Sequence, residues 1–149
     1  MCLLHHLKKH FKYKMLVSTF GLLLCTSSQI YAADWESIKK TNDYELFVDM
    51  DSYNVSDGLP LITAKTVFIH PKSIVLSNKK IVFIKELSAK QFNCKLQSYK
   101  QLETRFLNKK NVLIWSEKGV KSFEPLETNS NNATISSLVC QVHKMLGGI

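Results

Sequence analysis

Residues 44–115 largely alternate between apolar and polar positions, and this period of two predicts half-buried β-strands. Aromatic and β-branched residues, which favour strands, are concentrated in the same part of the chain. Asp57-Gly58 is the strongest turn signal and predicts a tight turn between two strands. Pro71 is expected to end the strand before it, and residues 72–80 are expected to form a polar loop. The predicted strands are residues 44–49, 61–69, 81–94 and 112–115.

Two segments carry patterns with more than one interpretation. Glu86, Ser88 and Lys90 interrupt the apolar parity of residues 81–94, which indicates either a β-bulge or a strand that leaves the core midway. Residues 96–107 match both the spacing of a helix and the parity of a strand. Periodicity alone does not separate these two structures over so short a run, so either is expected there.

The end of the chain has the 3.6-residue period of an amphipathic α-helix. Asn131 or Asn132 is the expected N-cap, and Gly147 stands where a C-cap glycine is expected. Cys140 lies away from the centre of the apolar stripe, so its sulfur would reach a sheet from the flank of the helix. The stripe consists of Ile135, Leu138, Val139, Val142, Met145 and Leu146.

The first 32 residues match a secretory signal peptide, with a basic stretch, an 11-residue apolar stretch and a polar run that ends in Ala32. An apolar stretch of this length is shorter than the roughly 20 residues that a membrane span needs. We expect cleavage after Ala32 or Ala33, which leaves residues 33–149 as one exported domain without a transmembrane span. A retained anchor helix and a lipid anchor at Cys25 are the alternatives.

Removal of the signal peptide would lower the formal net charge from +8 to about +4 and leave only Cys94 and Cys140. In an oxidising compartment an even pair of cysteines predicts one disulfide. This disulfide would close a loop of 47 residues and stabilise the domain by about 4 kcal/mol. The predicted fold class is therefore α+β, a mostly antiparallel β-sheet with a C-terminal helix tethered by the disulfide.

The sequence shows no arrangement that is typical of a catalytic site, so we predict no enzyme activity and no cofactor. His70 is expected at a strand end, and His143 is expected to be solvated on the polar side of the helix. Asp49 and Asp51 would share one face of an extended chain and could form a weak cation site or an acid–base pair. Aspartates at a strand end more commonly bind nearby backbone N–H groups.

The sequence contains few motifs that would predict a metal, phosphate or nucleic-acid ligand. Neither a metal-binding cysteine motif nor a phosphate-binding loop is present, and no aromatic–basic pattern predicts a nucleic-acid partner. Two lysine pairs, at residues 79–80 and 109–110, flank turns and are expected to be solvated tips. Alternatively, they could form a basic patch for acidic glycans or anionic surfaces.

Several short motifs follow one another in a defined order after the predicted signal peptide. They are Trp35, Tyr44-x-x-x-x-Asp49, Ser52, Lys65, Ser88-x-x-x-Phe92-x-Cys94, Phe123-Glu-Pro125 and Val139-Cys140. In this order they resemble the surface-adhesin protein E family of Gram-negative bacteria. The resemblance implies an antiparallel sheet whose C-terminal helix is held by the Cys94–Cys140 disulfide, binding to host extracellular-matrix and plasma proteins, and a possible homodimer. The chain departs from the family pattern at Phe123, where tryptophan is common, and in its nine-residue tail after Cys140.

We therefore predict a non-enzymatic binding protein of the cell envelope, located in the periplasm or on the outer cell surface, with a protein as its ligand. Candidate exposed aromatic residues for the binding surface are Tyr53, Tyr99 and Trp115, although packing in the core is the favoured role of Trp115. The alternative is a periplasmic inhibitor or assembly factor that binds one enzyme or envelope partner. A third hypothesis is a hydrolase that uses Asp49 and Asp51 with His70.

Overall fold

Seven β-strands and one α-helix make up most of residues 33–148, the part of the chain that the computed structural model describes. The predicted signal peptide and Cys25 lie outside the described residues and stay predictions. The strands are β1 Trp35–Lys40, β2 Tyr44–Ser56, β3 Leu59–Leu76, β4 Lys79–Asn93, β5 Ser98–Leu107, β6 Leu113–Lys118 and β7 Glu124–Pro125. The helix, α1, is Asn131–Met145.

The strands β1 to β6 follow one another across a single sheet in chain order, and each pairs antiparallel with the strand before it. The short strand β7 pairs with the beginning of β5. The predicted turn at Asp57-Gly58 is confirmed, with both residues at positive φ (55° and 72°). A second two-residue turn, Ser77-Asn78, also has positive φ at both positions (48° and 61°) and joins β3 to β4. Positive φ at both central residues is the mark of a type I′ hairpin turn.

Pro71 does not end its strand, and the prediction of a polar loop over residues 72–80 is wrong. Strand β3 continues to Leu76, although its register against β4 shifts between Val67 and Lys72. Proline is tolerated at such an irregularity because the backbone N–H that it lacks is not needed for ladder pairing. The β3–β4 hairpin therefore extends to the Ser77-Asn78 turn instead of ending in a loop.

The two ambiguous segments are both strands. Residues 98–107 form β5, so strand parity prevails over helical spacing in that segment. The register of β4 against β5 shifts between Ala89 and Lys90, which confirms the predicted bulge. Strand β4 does not leave the core, since Lys90 and Phe92 beyond the shift are both buried.

Helix α1 packs against one face of the sheet, which we call the helix side, and the main core lies between them. The N-cap is Ser130, whose Oγ accepts a hydrogen bond from the Ala133 backbone N–H at 3.1 Å, so the prediction of Asn131 or Asn132 is wrong. The two asparagine side chains instead accept hydrogen bonds from groups on the sheet. The buried core consists of Leu46, Val48, Ile62, Ala64, Phe92, Ile135 and Val139.

The end of α1 is fixed in two ways. Gly147 takes up a φ of +78° directly after the C-cap Leu146, as the sequence predicts for a C-cap glycine. The Cys94–Cys140 disulfide joins α1 to the chain just beyond β4, with 5.7 Å between the two Cα atoms. The predicted solvation of His143 is wrong, since only 3% of its surface is exposed and its Nδ1 lies 3.1 Å from the Tyr53 hydroxyl.

A second, smaller cluster lies near the β3–β4 hairpin. Phe68, Phe83 and Phe106 form a row of aromatic contacts across β3, β4 and β5, with ring centroids 5.7 Å and 4.6 Å apart. Ile74 and Leu76 from the hairpin pack against the same cluster. Trp115 of β6 packs there too, as expected for a core role. This cluster supports the part of the hairpin that extends beyond the pairing of β2 with β3.

Candidate functional site

The two faces of the sheet have different environments. Leu46 and Val48 of β2 point into the core beneath α1, so Phe47 and Asp49 between and beside them point to the opposite face. Within residues 33–148 no helix packs on that face, which we call the open face. A sheet face without a covering layer is available for a ligand. Its principal residues are Trp35, Phe47, Asp49, Lys65, Leu87, Glu103 and Arg105.

Lys65 of β3 lies at the centre of the open face between two aromatic rings. Its Nζ is 4.0 Å from the centroid of the Trp35 ring and 4.6 Å from the centroid of the Phe47 ring. Strand pairing creates this group, because Phe47 lies directly opposite Lys65 and Trp35 lies opposite Asp49. These two cation–π contacts restrict the Lys65 side chain to a position next to both rings.

The surroundings of Lys65 change its protonation equilibrium. Partial burial and the positive charge of Lys85 lower the pKa of Lys65, while Asp49 acts in the opposite direction. Asp49 Oδ1 is buried and has no hydrogen-bond partner among the described residues. The Asp49 carboxylate and the Lys65 ammonium group therefore place opposite charges in the same part of the open face.

A second charged group lies across the sheet from Lys65. Arg105 follows Leu87 in the same cross-strand row, and its guanidinium binds the Glu103 carboxylate through two hydrogen bonds of 2.8 Å and 2.7 Å. These hydrogen bonds lower the pKa of Glu103. The pair is exposed, so it contributes little to stability. The two parallel hydrogen bonds instead fix the positions of the Arg105 guanidinium and the Glu103 carboxylate on the open face.

The three aromatic residues that the sequence suggested as a binding surface lie on the helix side, apart from one another. Tyr53 contacts His143 near the end of α1, and Tyr99 donates a hydrogen bond to Glu124 at 3.0 Å. Both tyrosines pack against the main core, and Trp115 packs against the second cluster. Burial raises the pKa of Tyr99, and the Glu124 carboxylate raises it further. Their role in binding stays a prediction.

The residues of the hydrolase hypothesis are not brought together. Asp49 pairs with Thr63, whereas His70 lies beyond Phe68, the partner of Tyr44 at the other end of β2. At least five residues of strand separate the two positions, a length of roughly 17 Å. Among the described residues, no group of three or more histidine, cysteine, aspartate or glutamate side chains is placed to hold a metal ion.

A buried lysine lies on the helix side of β4. Lys90 is 7% exposed, and its Nζ donates a hydrogen bond of 2.7 Å to Asn132 Oδ1 at the start of α1. Burial lowers the pKa of Lys90, while the neighbouring Glu86 acts in the opposite direction. Burial raises the pKa of Glu86 in turn. Lys90, one of the polar residues that interrupt the pattern of β4, therefore connects the sheet to the helix.

Replacing Lys90 with methionine is expected to raise the free energy of unfolding by about 1 kcal/mol at pH 7, because methionine fills the space without a buried charge, and the neutral Asn132 amide compensates that charge only in part. The folded-state pKa of Lys90 lies below its unfolded value of 10.5. The cost of burying the charge is therefore full at a pH below the lowered pKa, falls as the pH rises from that pKa towards 10.5, and is absent above 10.5. The difference in the free energy of unfolding between K90M and the wild type should therefore be smaller at about pH 10 than at pH 7.

Urea unfolding of both proteins at the two pH values measures this difference. The exposed Lys95 provides the matched control, and K95M should change the free energy of unfolding by less than about 0.5 kcal/mol at either pH. A K90M protein that is clearly less stable than the wild type at pH 7 would show that the bond to Asn132 outweighs the cost of burial.

Trp35, Phe47 and Lys65 are residues of the open face that the sequence did not predict as a binding surface. The signal in the sequence is the run Leu46-Phe47-Val48, where large apolar side chains occupy both parities of one strand. Such a strand presents large apolar side chains to both sides of the sheet, and only one of these sides can face the core beneath a single helix.

Comparison with known proteins gives one match. The model of the family described as surface-adhesin protein E matches residues 35–141, from the first residue of β1 to one residue beyond Cys140. No curated protein and no solved structure matches the chain. Among the described residues, no helix is long and apolar enough to cross a membrane. The matched segment contains the whole sheet, including the group around Lys65, and the disulfide.

Proposed function

The chain belongs to the surface-adhesin protein E family, and from this premise we propose that residues 33–149 form an exported module that binds a protein ligand through the open face. Family membership indicates a surface adhesin-like role. The finer proposal is that the ligand is a host extracellular-matrix or plasma protein. The observation that supports binding through the open face is the group formed by Lys65 with Trp35 and Phe47, on a sheet face that no helix among the described residues covers.

The composition of this group suits a binding hot spot. Tryptophan and arginine are enriched among the residues that dominate binding energy, and Trp35 and Arg105 lie on the same face. The aromatic rings are already held by Lys65, so little side-chain freedom would be lost when a ligand covers them. A preorganised aromatic surface with a polar rim is the usual anatomy of a protein–protein interface.

The charges of the open face favour an acidic segment of the ligand. The register places more basic than acidic residues on this face, namely Lys40, Lys65, Lys85, Arg105 and Lys118 against Glu45, Asp49 and Glu103. Glu103 is paired with Arg105 and Glu45 with Lys40, so the remaining lysines outnumber the remaining acid, Asp49, and leave a positive surplus on the face. Charge complementarity of this kind steers the encounter and sets specificity more than it sets affinity.

Binding of residues 33–149 to a panel of immobilised matrix and plasma proteins tests the proposal, with the variants K65M and W35A compared with the wild type. Each variant removes a hot-spot side chain and is expected to weaken binding by about 30-fold or more. The control is K144M, which changes an exposed lysine on the helix side and should bind as the wild type does. Circular dichroism and a thermal scan of each variant separate loss of binding from loss of folding.

Two results would contradict the proposal. One is full binding by both K65M and W35A, which would move the interface away from the open face. The other is failure of the wild type to bind any matrix or plasma protein while one enzyme is recovered from a periplasmic extract, which would favour the inhibitor or assembly-factor alternative. Light scattering on the same preparations reports whether the implied homodimer forms.

A further inference from the structure

One end of the sheet carries a concentration of lysines. The β3–β4 hairpin over residues 69–85 and the β5–β6 connection over residues 108–114 lie at the same end, because successive strands are antiparallel. We call these two segments the basic tip. They contain no aspartate and no glutamate. Their lysines are Lys72, Lys79, Lys80, Lys85, Lys109 and Lys110.

The lysines of the basic tip are available to a ligand. All but one are exposed, and the half-buried Lys85 connects the two segments through a hydrogen bond to the Asn111 side chain. The acidic residues at this end belong to the β1–β2 region, where Asp43 lies beside Ile69 and Glu45 is paired with Lys40 at 3.8 Å. The tip is therefore a region of positive charge without internal ion pairs among its own residues.

Exposed aliphatic side chains are interleaved with these lysines. Val75 is 71% exposed and lies opposite Lys80, while Val82 is 51% exposed and lies opposite Ser73. The alternate residues of the hairpin, such as Ile81, are buried in the second cluster, so the outward valines are not needed for the core. Ile69, Val112 and Leu113 are each more than half exposed in the same two segments.

We propose that the basic tip docks onto the surface of an anionic lipid bilayer. Lysines near such a surface are attracted to its negative potential, and aliphatic side chains between them enter the interfacial region. A sulfated glycan would use the lysines but would gain nothing from exposed valines and leucines. The mixture of the two side-chain types therefore favours a lipid surface over a soluble polyanion. The rigid aromatic cluster behind the hairpin holds both types in place.

Vesicle co-sedimentation of residues 33–149 tests this docking. Vesicles of phosphatidylcholine with about one-third phosphatidylglycerol should bind the protein, and vesicles of phosphatidylcholine alone should bind it at least tenfold more weakly. At about 1 M salt, where the screening length falls to roughly 3 Å, most of the binding should disappear. The variant K79Q/K80Q should lower the partition coefficient by about 30-fold, since each lysine contributes roughly fivefold.

Two further variants separate lipid docking from general charge effects. The double variant K95Q/K121Q changes two exposed lysines at the opposite end of the sheet and should bind like the wild type. The variant V75S/V82S keeps the charge and should still weaken binding by several-fold, because it removes the aliphatic contacts. Both valines are exposed, so this variant is expected to fold normally.

The proposal is overturned if the two vesicle compositions bind the protein equally, or if K95Q/K121Q loses as much binding as K79Q/K80Q. It is also overturned if the protein is retained on heparin beads but not by anionic vesicles, since the basic tip would then recognise a soluble polyanion. Unchanged vesicle binding by V75S/V82S would show that the aliphatic side chains do not contribute to binding. The argument for a lipid surface over a soluble polyanion would then fail. None of these results depends on whether the open face binds a protein.

Discussion

Loss of the Cys94–Cys140 disulfide is expected to lower the free energy of unfolding by about 4 kcal/mol. The bond joins residues 46 positions apart, so the oxidised unfolded chain is restricted by a loop that the reduced chain does not have. It also fixes α1 to the chain that leaves β4, next to the buried Phe92. A domain of this size has roughly 5–15 kcal/mol of stability, so the reduced protein should be marginal at best.

Thermal and urea unfolding of the double variant C94A/C140A measure this loss. The melting temperature should fall by roughly 15 °C, given about 4 °C for each kcal/mol in a domain of this length. Addition of a reductant should lower the stability of the wild type to a similar extent and leave the double variant unchanged. A variant that remains within about 1 kcal/mol of the wild type would show that packing of α1 alone holds the helix on the sheet.

Replacing Phe92 with alanine is expected to destabilise the domain by about 3–5 kcal/mol. Phe92 is completely buried and is among the largest side chains of the core, with α1 on one side and the sheet on the other. Its ring also contacts Tyr99, with 6.4 Å between the ring centroids. Truncation would leave a cavity at the junction of helix and sheet, and the surrounding side chains relax only in part into such a cavity.

Two further variants, F92L and F123A, serve as comparisons for F92A. Phe92→Leu keeps most of the buried volume and should cost less than about 2 kcal/mol, whereas Phe123→Ala removes an aromatic ring that is 37% exposed and should cost less than about 1 kcal/mol. Urea unfolding of the three variants measures their free energies of unfolding and so ranks them. An F92A protein as stable as F123A would mean that the core does not lie where Phe92 is placed.

The regular features of the fold could be predicted because each leaves a local pattern. Period-two alternation located the strands, the apolar stripe located α1, and an even pair of cysteines located the disulfide. The outer part of the β3–β4 hairpin, residues 72–80, could not be predicted because Ser77 and Asn78 form the turn without glycine, and the positive φ of such residues is uncommon. Pro71 predicts a strand end, although an irregularity in the pairing of β3 with β4 accommodates it within β3.

The candidate site depends on information that lies outside any single segment. Trp35 and Lys65 are 30 positions apart in sequence and become neighbours only through the register of β1, β2 and β3. The alternation within β2 shows that the strand has two apolar faces, but the face that α1 covers is decided by packing and by the disulfide. The burial of His143 has the same origin, because Tyr53 reaches its ring from β2.

Protease shaving of intact cells, followed by mass spectrometry, tests most directly whether residues 33–149 are displayed as a surface binding module. Intact cells are compared with cells whose outer membrane has been permeabilised, and a cytoplasmic protein serves as the lysis control. Peptides from residues 33–149 should be released from intact cells. Their release only after permeabilisation would place the domain in the periplasm and contradict a role in binding host proteins.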